Sequence, residues 1–352
     1  MSNARKLADN LPTDGQLGNR NLIINGAMRV AQRGTSTSIS SAKSFSPDRF
    51  YADENALDEY VGTISQDSDA PDGFSNSLKI TTTTEETTLA ADEYLYIGYA
   101  VEAQDLQQLK YGTSSAQDMT LSFWVKCSVT GTYCVGVYGG DGPRMLNVAY
   151  TINAANTWEY KTLKIEGDTG GTMNDDTGEG IRLAWNLSVG TDYQGTDSTS
   201  WVNYVTTAWA NSQVTNTFVT TASSTFFLTG VQLEVGSEAT PFEHRSYGDE
   251  LARCQRYYER WDFPNTFDYY ESNSAAHAHD ITSCYNGSLA VAKRALPTFS
   301  QEGTFIGSNI VSNTWTFRAG ISVASWYNSA SAAGRYYAYN NTSAAYIFDA
   351  EL

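Results

Sequence analysis

The sequence lacks most of the residues from which active sites and nucleic-acid-binding surfaces are built. It has three histidines, and its 22 lysines and arginines stand against 39 aspartates and glutamates, giving a net charge of −17. Neutralising phosphate groups requires a basic surface, and no Lys/Arg cluster occurs, so nucleic-acid binding is not expected. No apolar run is long enough for a membrane-spanning helix or a cleaved leader. We therefore expect no membrane insertion and no export by a standard leader.

Cysteine is scarce too, and the four residues are Cys127, Cys134, Cys254 and Cys284. None of them has the C-x-x-C or Cys/His spacing of a zinc site, so the sequence predicts no such metal centre. Cys127 and Cys134 flank the segment SVTGTY, which is typical of a hairpin turn. Two interpretations remain, a disulfide formed under oxidising conditions or two isolated core thiols, and we expect the second.

Recognisable catalytic motifs are missing as well. There is no G-x-S-x-G sequence, no glycine-rich phosphate loop and no Cys/His dyad, so we predict that the protein is not an enzyme. His277 and His279 would share one side of a strand next to Asp280, but no third metal ligand accompanies them, and we expect a surface strand or loop. A carboxylate pair that cleaves glycosidic bonds leaves no sequence signature. For that alternative, Asp175 and Asp197 are the first candidates.

Two acidic loops, Ser65–Gly73 and Glu166–Gly180, offer oxygen ligands of the kind that calcium prefers. The candidate ligands are Asp67, Asp69 and Asp72 in the first loop and Asp168, Asp175 and Asp176 in the second. Turns rich in Asp and Gly are also simply turns, and neither loop matches a defined calcium-binding pattern. We expect no cofactor, with a structural calcium ion as the alternative.

Strand patterns dominate the chain from Asn21 onwards. Segments rich in Thr, Tyr, Val and Ile alternate with clusters of Gly, Asp and Asn, including Asp-Gly pairs at Asp72 and Asp141, which is typical of short strands joined by turns. Many short strands with almost no helix predict an all-β sandwich or barrel. Within Ile181–Val189 the apolar residues alternate with others, so we expect this strand to bury one face only. The predicted strands are Leu78–Thr84, Glu93–Val101, Met119–Val129, Thr132–Gly139, Thr157–Ile165, Ile181–Val189 and Ser224–Val235.

One segment predicts an amphipathic helix over residues 246–262. Ser246 is a suitable N-cap with Asp249 three residues later, an approximate capping box. A narrow apolar seam follows at helical spacing, formed by Leu251, Cys254, Tyr258 and Trp261. The seam either packs on the protein's own sandwich or meets other copies of itself at an oligomer axis.

The charge balance changes near residue 245. Ten acidic residues face seven basic ones from Ser246 onwards, against twenty-nine and fifteen before it, and such a change across a helix marks a domain boundary. At the N-terminus, Leu7 and Leu11 belong to a helical pattern that Pro12 ends, too short to be stable alone. We predict four parts: an N-terminal arm (1–20), a sandwich (21–245), a linking helix (246–262) and a smaller C-terminal β domain (263–352).

Aromatic residues are abundant, at 13% of the chain with 23 tyrosines and eight tryptophans. Trp185 is predicted to be a core residue from its position in the strand alternation. Trp201 and Trp209 lie instead in a polar segment without clean alternation, which also contains Tyr193. These three rings either pack as loop anchors or form a ligand-binding platform, because exposed rings stack on sugar faces and anchor interfaces.

A family resemblance accompanies these patterns. The segments that carry it are NLIINGAMRVAQRG, SFSPDRFY, SLKIT, LSFWVKCSVTGTY, NTWEYKTLKIEGDTGGT and LTGVQLEVGSEATPFEHRSYGDELARCQRYYE, with AAYIFDAEL at the end. Together they resemble the jelly-roll module, of carbohydrate-binding type, of bacteriophage tail-fibre and other virion appendage proteins. The resemblance covers residues 20–260 well and the last hundred loosely.

Membership would imply a virion structural protein made in the host cytoplasm, often homotrimeric, whose N-terminal arm, here Leu7 and Leu11, docks on the particle. Its outer domains would bind host surface glycan through variable loops, and no residue of a sugar site is carried over. Two alternatives stay open: a capsid or tail decoration protein that binds only virion proteins, and a surface polysaccharide depolymerase. The frame typical of a depolymerase is a β-helix, and no such repeat is found.

Overall fold

In a computed structural model of the chain, the structure describes residues 19–195, 198–262, 266–270, 282–302, 305–308, 316–319, 323–329, 335–340 and 345–352. Two compact units are present: the first extends to Glu250 and includes Leu352, and the second is Leu251–Glu351. The four predicted domain ranges remain predictions. So do the interpretations of residues that lie outside the described part, namely Leu7, Leu11, Asp197, His277, His279 and Asp280.

The first unit is a jelly-roll β-sandwich of two antiparallel sheets. Its strands are β1 (Ser36–Ser38), β2 (Ser44–Phe45), β3 (Tyr51–Asn55), β4 (Val61–Asp67), β5 (Ser77–Thr84), β6 (Tyr94–Glu102), β7 (Met119–Cys127), β8 (Gly131–Gly139), β9 (Arg144–Ile152), β10 (Glu159–Ile165), β11 (Glu179–Val189), β12 (Val202–Asn203) and β13 (Thr225–Val235). Sheet 1 has the order β1-β4-β5-β13-β7-β10, and sheet 2 the order β12-β9-β8-β11-β6-β3-β2. Short 3-10 helices follow β6 (Ala103–Leu109) and β12 (Thr206–Ala208).

All seven predicted strands are confirmed, and the two Asp-Gly pairs lie in the connections from β4 to β5 and from β8 to β9. The predicted hairpin at SVTGTY is wrong. Cys127 ends β7 in sheet 1, whereas Cys134 lies in β8 of sheet 2, so the connection crosses between sheets. Both thiols are buried and neither forms a disulfide, as expected for isolated core residues.

The core lies between the two sheets and contains the alternate residues of the central strands. Trp185 is fully buried there, as predicted. The expectation that β11 buries one face only is wrong, because Ala184, Asn186 and Ser188 on its other face are also fully buried. They are covered by the long segment between β11 and β13, where Trp209 and its neighbours form a second apolar cluster.

The helix, α1, spans Tyr247–Gln255. Its predicted cap is confirmed, because the backbone N–H of Asp249 donates to the Ser246 hydroxyl, which itself contacts the Asp249 carboxylate at 2.6 Å. The predicted helix is too long, however. Tyr258 and Trp261 lie in a strand, Tyr258–Asp262, that pairs with Ala345–Asp349 near the C-terminus. The four seam residues therefore do not share one helix face, and their role in a joint or an oligomer remains a prediction.

The second unit is smaller and contains three-stranded antiparallel sheets. Its strands are β14 (Tyr258–Asp262), β15 (Thr266–Tyr270), β16 (Thr282–Ser288), β17 (Thr298–Glu302), β18 (Phe305–Ser308), β19 (Thr316–Ala319), β20 (Val323–Ser329), β21 (Arg335–Asn340) and β22 (Ala345–Asp349). The strand orders are β14-β22-β17, β15-β21-β18 and β16-β20-β19. Within the described part of the chain, no helix is long and apolar enough to cross a membrane.

Candidate functional site

A continuous series of aromatic rings crosses the outer face of sheet 2. We call it the tyrosine strip, and its members are Tyr204, Tyr138, Trp209, Tyr96, Tyr94 and Tyr193. Ring centroids are 5.5 Å apart for Tyr204 and Tyr138, 6.4 Å for Tyr138 and Trp209, and 5.4 Å for Trp209 and Tyr96. Tyr94 continues the series, at 5.5 Å from Tyr96 and 5.1 Å from Tyr193. These separations are typical of favourable aromatic pairs.

Two features of the sequence position the rings: the alternation of side chains along a strand, and two glycines that leave space for neighbouring groups. Tyr94 and Tyr96 are two residues apart on β6, so both point away from the core. Two residues further on, Gly98 leaves space for the ring of Tyr51, whose Cζ would be 2.2 Å from a Cβ at that position. On β8, Gly136 makes room for the backbone carbonyl of Trp209, which would be 2.7 Å from an added Cβ.

Two buried asparagines hold the covering segment on the sheet. The side-chain amide of Asn147 donates to the carbonyl of Ala208 at 2.9 Å, and that of Asn186 donates to the carbonyl of Trp209 at 3.2 Å. Both asparagines are fully buried. Since a buried amide without a partner is costly, these bonds fix the Trp209 ring against Tyr96 and Tyr138.

Charged groups border the strip. Arg182 forms an ion pair with Glu179 at 2.8 Å and lies over the ring of Tyr138, with its Cζ 5.7 Å from the ring centroid. On the other side, the Tyr96 hydroxyl donates to Asp53 at 2.8 Å. Burial raises the pKa of Tyr94 to about 12 and also raises the pKa of Tyr138. The hydroxyls of Tyr94 and Tyr138 therefore remain protonated hydrogen-bond donors at neutral pH.

A crevice of about 390 Å³ opens at the Tyr204 end of the strip. Its lining residues are Gly142, Pro143, Arg144, Gly170, Asn203 and Tyr204. Arg144 is fixed by an ion pair with buried Asp168 at 2.7 Å and donates to the carbonyl of Trp201 at 2.9 Å and the side-chain oxygen of Asn203 at 3.2 Å. The Tyr204 ring is 41% exposed, so one face of an aromatic ring borders the opening.

Of the three predicted binding residues, two belong to the strip. Trp209 is 8% exposed and Tyr193 is half-buried, so both pack as anchors in the second apolar cluster. Trp201 lies beside the crevice, half-buried, where its indole N–H donates to the carbonyl of Glu166 at 2.6 Å and its ring packs on Tyr111. The structure thus shows the packing alternative for these rings, and their part in ligand binding remains a prediction.

Sequence reasoning missed the rings that form most of the strip, together with the Arg182–Glu179 pair. The segment YLYIGY did contain a signal, because Tyr94 and Tyr96 are two residues apart in a predicted strand and so share a face. For Tyr138 and Tyr204 no comparable local signal exists. Their contact joins β8 to the segment after β12, which only the tertiary structure brings together.

Three of the six carboxylates proposed as calcium ligands form ion pairs with basic side chains. Asp67 pairs with Lys79 at 3.0 Å, Asp69 accepts from Lys126, and Asp168 pairs with Arg144. A different set, Asp58, Glu86 and Glu93, places one oxygen each within 4.8 Å of the others in the described residues. A structural calcium ion remains a prediction.

Comparison with known proteins gives little beyond this geometry. No protein-family model matches the sequence, and no curated protein matches it significantly. Among solved structures, the enzymatically active domain of tailspike protein 4 of bacteriophage CBA120 gives a TM-score of 0.34 at 12% identity, over 61% of this chain. The aligned part is 21% of that tailspike chain, so this chain spans about a fifth of its length.

Two other similar structures are carbohydrate-binding modules. The C-terminal family 22 module of Clostridium thermocellum Xyn10B has a TM-score of 0.31 at 10% identity and covers 64% of this chain and 98% of that one. TmCBM61, in complex with β-1,4-galactotriose, has a TM-score of 0.27 at 11% identity and covers 62% and 100%. At these TM-scores the similarity says nothing about the function of this chain.

Proposed function

We propose that the first unit binds glycan in the crevice at the Tyr204 end of the tyrosine strip, where the buried rings of Trp209 and Tyr96 hold the accessible ones in place. Sugar rings are apolar on their faces and carry hydroxyl groups at their edges. A protein surface that binds them combines aromatic rings with fixed hydrogen-bonding groups. Tyr204, with the half-buried Tyr138 beside it, supplies the accessible rings, and Arg182, Glu179 and Asp53 supply charged groups at the borders of the strip. The observation that carries the proposal is the continuity of these rings up to an exposed one, Tyr204, at the crevice.

The size of the crevice agrees with this role. About 390 Å³ lies at the small end of the range of ligand pockets, which is about 300–1,000 Å³. The charged residue in the crevice is Arg144, and its charge is neutralised by the ion pair with Asp168. We therefore expect a neutral, hydroxyl-rich ligand in the crevice rather than a strongly anionic one.

Binding rather than cleavage is our proposal for the chemistry. Glycoside hydrolysis needs an acid and a second carboxylate facing one bond. Glu179 is ion-paired with Arg182, and Asp53 accepts a hydrogen bond from Tyr96, so both carboxylates serve to fix neighbouring groups. A depolymerase would release reducing ends from host polysaccharide. The first variant to test for that activity is Asp175→Asn, because Asp175 is exposed.

At the level of the whole protein, we propose a phage virion appendage subunit that docks by its N-terminus and displays the glycan site to a host surface. The sequence resemblance supports this, together with a homotrimeric assembly in which several modest sites act together. The alternative is a decoration protein that binds only virion proteins. In that case the intact chain would bind no glycan.

Screening the intact chain on a glycan array tests the proposal, followed by calorimetry with the best ligand. Tyr204→Ala should weaken binding at least about tenfold, the loss expected when an anchoring ring is removed. Tyr160→Ala is the matched control, since Tyr160 is 45% exposed but lies on sheet 1. No binding to any glycan, or equal losses in the two variants, would refute the proposal.

A further inference from the structure

Residues 231–250, which lie in the segment LTGVQLEVGSEATPFEHRSYGDELARCQRYYE, have a role that glycan binding does not explain. They bond to the start of the described chain, and together the two parts form what we call the terminal clamp. The clamp consists of residues 20–25, the end of β13 (residues 231–235) and residues 240–250. All of them belong to the first unit.

One half of the clamp joins the N-terminal segment to the end of β13. The side-chain amide of Asn21 donates to the carbonyl of Val231 at 3.0 Å, and its oxygen accepts from the N–H of Leu233 at 3.1 Å. The N–H of Leu22 donates to the carbonyl of Leu233 at 2.9 Å. Asn21 is 5% exposed, so these bonds are shielded from water.

The other half joins the same N-terminal segment to residues 240–250. Arg20 donates to the hydroxyl of Thr240 at 2.8 Å, and the N–H of Asn21 donates to Glu243 at 3.0 Å. Arg245 donates to the carbonyl of Ile23 at 3.0 Å. The N–H of Asn25 donates to Glu250 at 2.5 Å.

Residues 240–243 are themselves fixed to the sheet. Gln232, fully buried, accepts from the N–H of Glu243 at 2.8 Å, and Glu234 accepts from the N–H of Thr240 at 2.8 Å. Arg245 connects the charges, since it pairs with Glu243 at 3.2 Å and with Glu250 at 3.6 Å while its own side chain is 7% exposed.

The order of these contacts is the informative feature. Partners rise together along both segments, from Arg20 with Thr240, through Asn21 with Glu243, to Asn25 with Glu250. The two segments therefore run parallel. Tension applied before residue 20 and after residue 250 pulls the segments past each other in opposite directions. In this shear geometry all the hydrogen bonds between the two segments bear the force at once and must break together. If the segments were instead pulled apart from one end, the bonds would break one at a time.

We infer that the terminal clamp is a mechanical joint that resists tension along the chain. It would transmit tension directly from the chain before Arg20 to the chain after Glu250, with β13 as part of the joint, so that strands β1 to β12 lie outside the direct path of the force. The inference uses only the geometry of the first unit and does not depend on glycan binding. Such a joint would extend the lifetime of a protein that is held at one end and pulled at the other. Forced unfolding is governed by the unfolding rate, and bonds that must break together lower that rate.

Constant-force tweezers on the intact chain test the inference. Handles are attached to an N-terminal tag and to an azide-bearing residue at Gln255, which loads the clamp. A second geometry, with handles at the exposed positions Asp72 and Asp192, does not load it. Arg245→Gln removes the central charge of the clamp. Lys161→Gln is the matched control, because Lys161 pairs with Glu159 at 2.6 Å at similar burial elsewhere in the unit.

We expect Arg245→Gln to shorten the lifetime of the folded state at least tenfold in the first geometry and less than twofold in the second. Lys161→Gln should change it less than twofold in the first geometry. An equal effect of Arg245→Gln in both geometries would show a general loss of stability and overturn the inference, as would no effect in the first. If Arg245→Gln does not fold, Thr240→Val, which removes the hydroxyl that accepts from Arg20, gives the same comparison.

Discussion

Removing the side chain of Trp209 should destabilise the first unit by about 3–4.5 kcal/mol. The ring is 8% exposed and packs on Tyr96 at 5.4 Å. A buried tryptophan removes roughly 200 Å² from water, which at about 25 cal/mol per Å² corresponds to about 5 kcal/mol as an upper value. Residual compactness of the unfolded chain lowers that figure by roughly 10–40%. The result agrees with the approximately 3–5 kcal/mol measured for tryptophan-to-alanine changes in cores.

Urea unfolding of Trp209→Ala, followed by far-ultraviolet circular dichroism on the intact chain, measures this change. Tyr160→Ala serves as the control, because Tyr160 is 45% exposed and its removal should cost clearly less stability than that of Trp209. Glycan affinity should fall in the same variant, since Trp209 supports both Tyr96 and Tyr138. A loss of stability below about 1 kcal/mol for Trp209→Ala would refute the description of this segment as a packed cover of sheet 2.

Three further predictions concern other parts of the first unit. Gly230→Ala should lower the melting temperature clearly more than Gly34→Ala, because both glycines have positive φ but only Gly230 has rings within 3 Å of an added Cβ; equal shifts would contradict this. Burial and nearby carboxylates raise the pKa of Glu86, so its ionisation costs stability as pH rises through that pKa; Glu86→Gln should therefore raise the melting temperature at pH 8 and change it little at pH 4. Cys127 and Cys134 should react slowly with a thiol reagent in the native state and form no disulfide with each other on mild oxidation, as a non-reducing peptide map would show.

Strand positions could be predicted from sequence because their signals are local. Alternating β-branched and aromatic residues between turn residues identify a strand wherever its partners lie. Which strands belong to which sheet could not be predicted from the sequence. The segment after Cys127 has the composition of a hairpin turn, and the same composition serves a connection that crosses from one sheet to the other. The predicted helix is too long for a similar reason. Residues Tyr258–Asp262 form a strand because they pair with β22, which is distant in the sequence.

The site was predictable only in part. Trp209 and Tyr193 were singled out because they interrupt a polar segment, and they do lie in the strip. The burial of the outer face of β11 was missed, because the side chains that cover Ala184 and Asn186 come from residues more than twenty positions away. Strand alternation can say that a residue faces away from the core. It cannot say whether another segment of the chain covers that face.

Hydroxyl-radical footprinting of the intact chain, with and without saturating glycan, tests the central claim most directly. Tyr204 and Tyr160 have similar exposure, at 41% and 45%, but lie on opposite sheets. The glycan site proposed here predicts that ligand protects Tyr204 several-fold and leaves Tyr160 unchanged. Protection of Tyr160 with Tyr204 still reactive would place the ligand on sheet 1 and contradict the account.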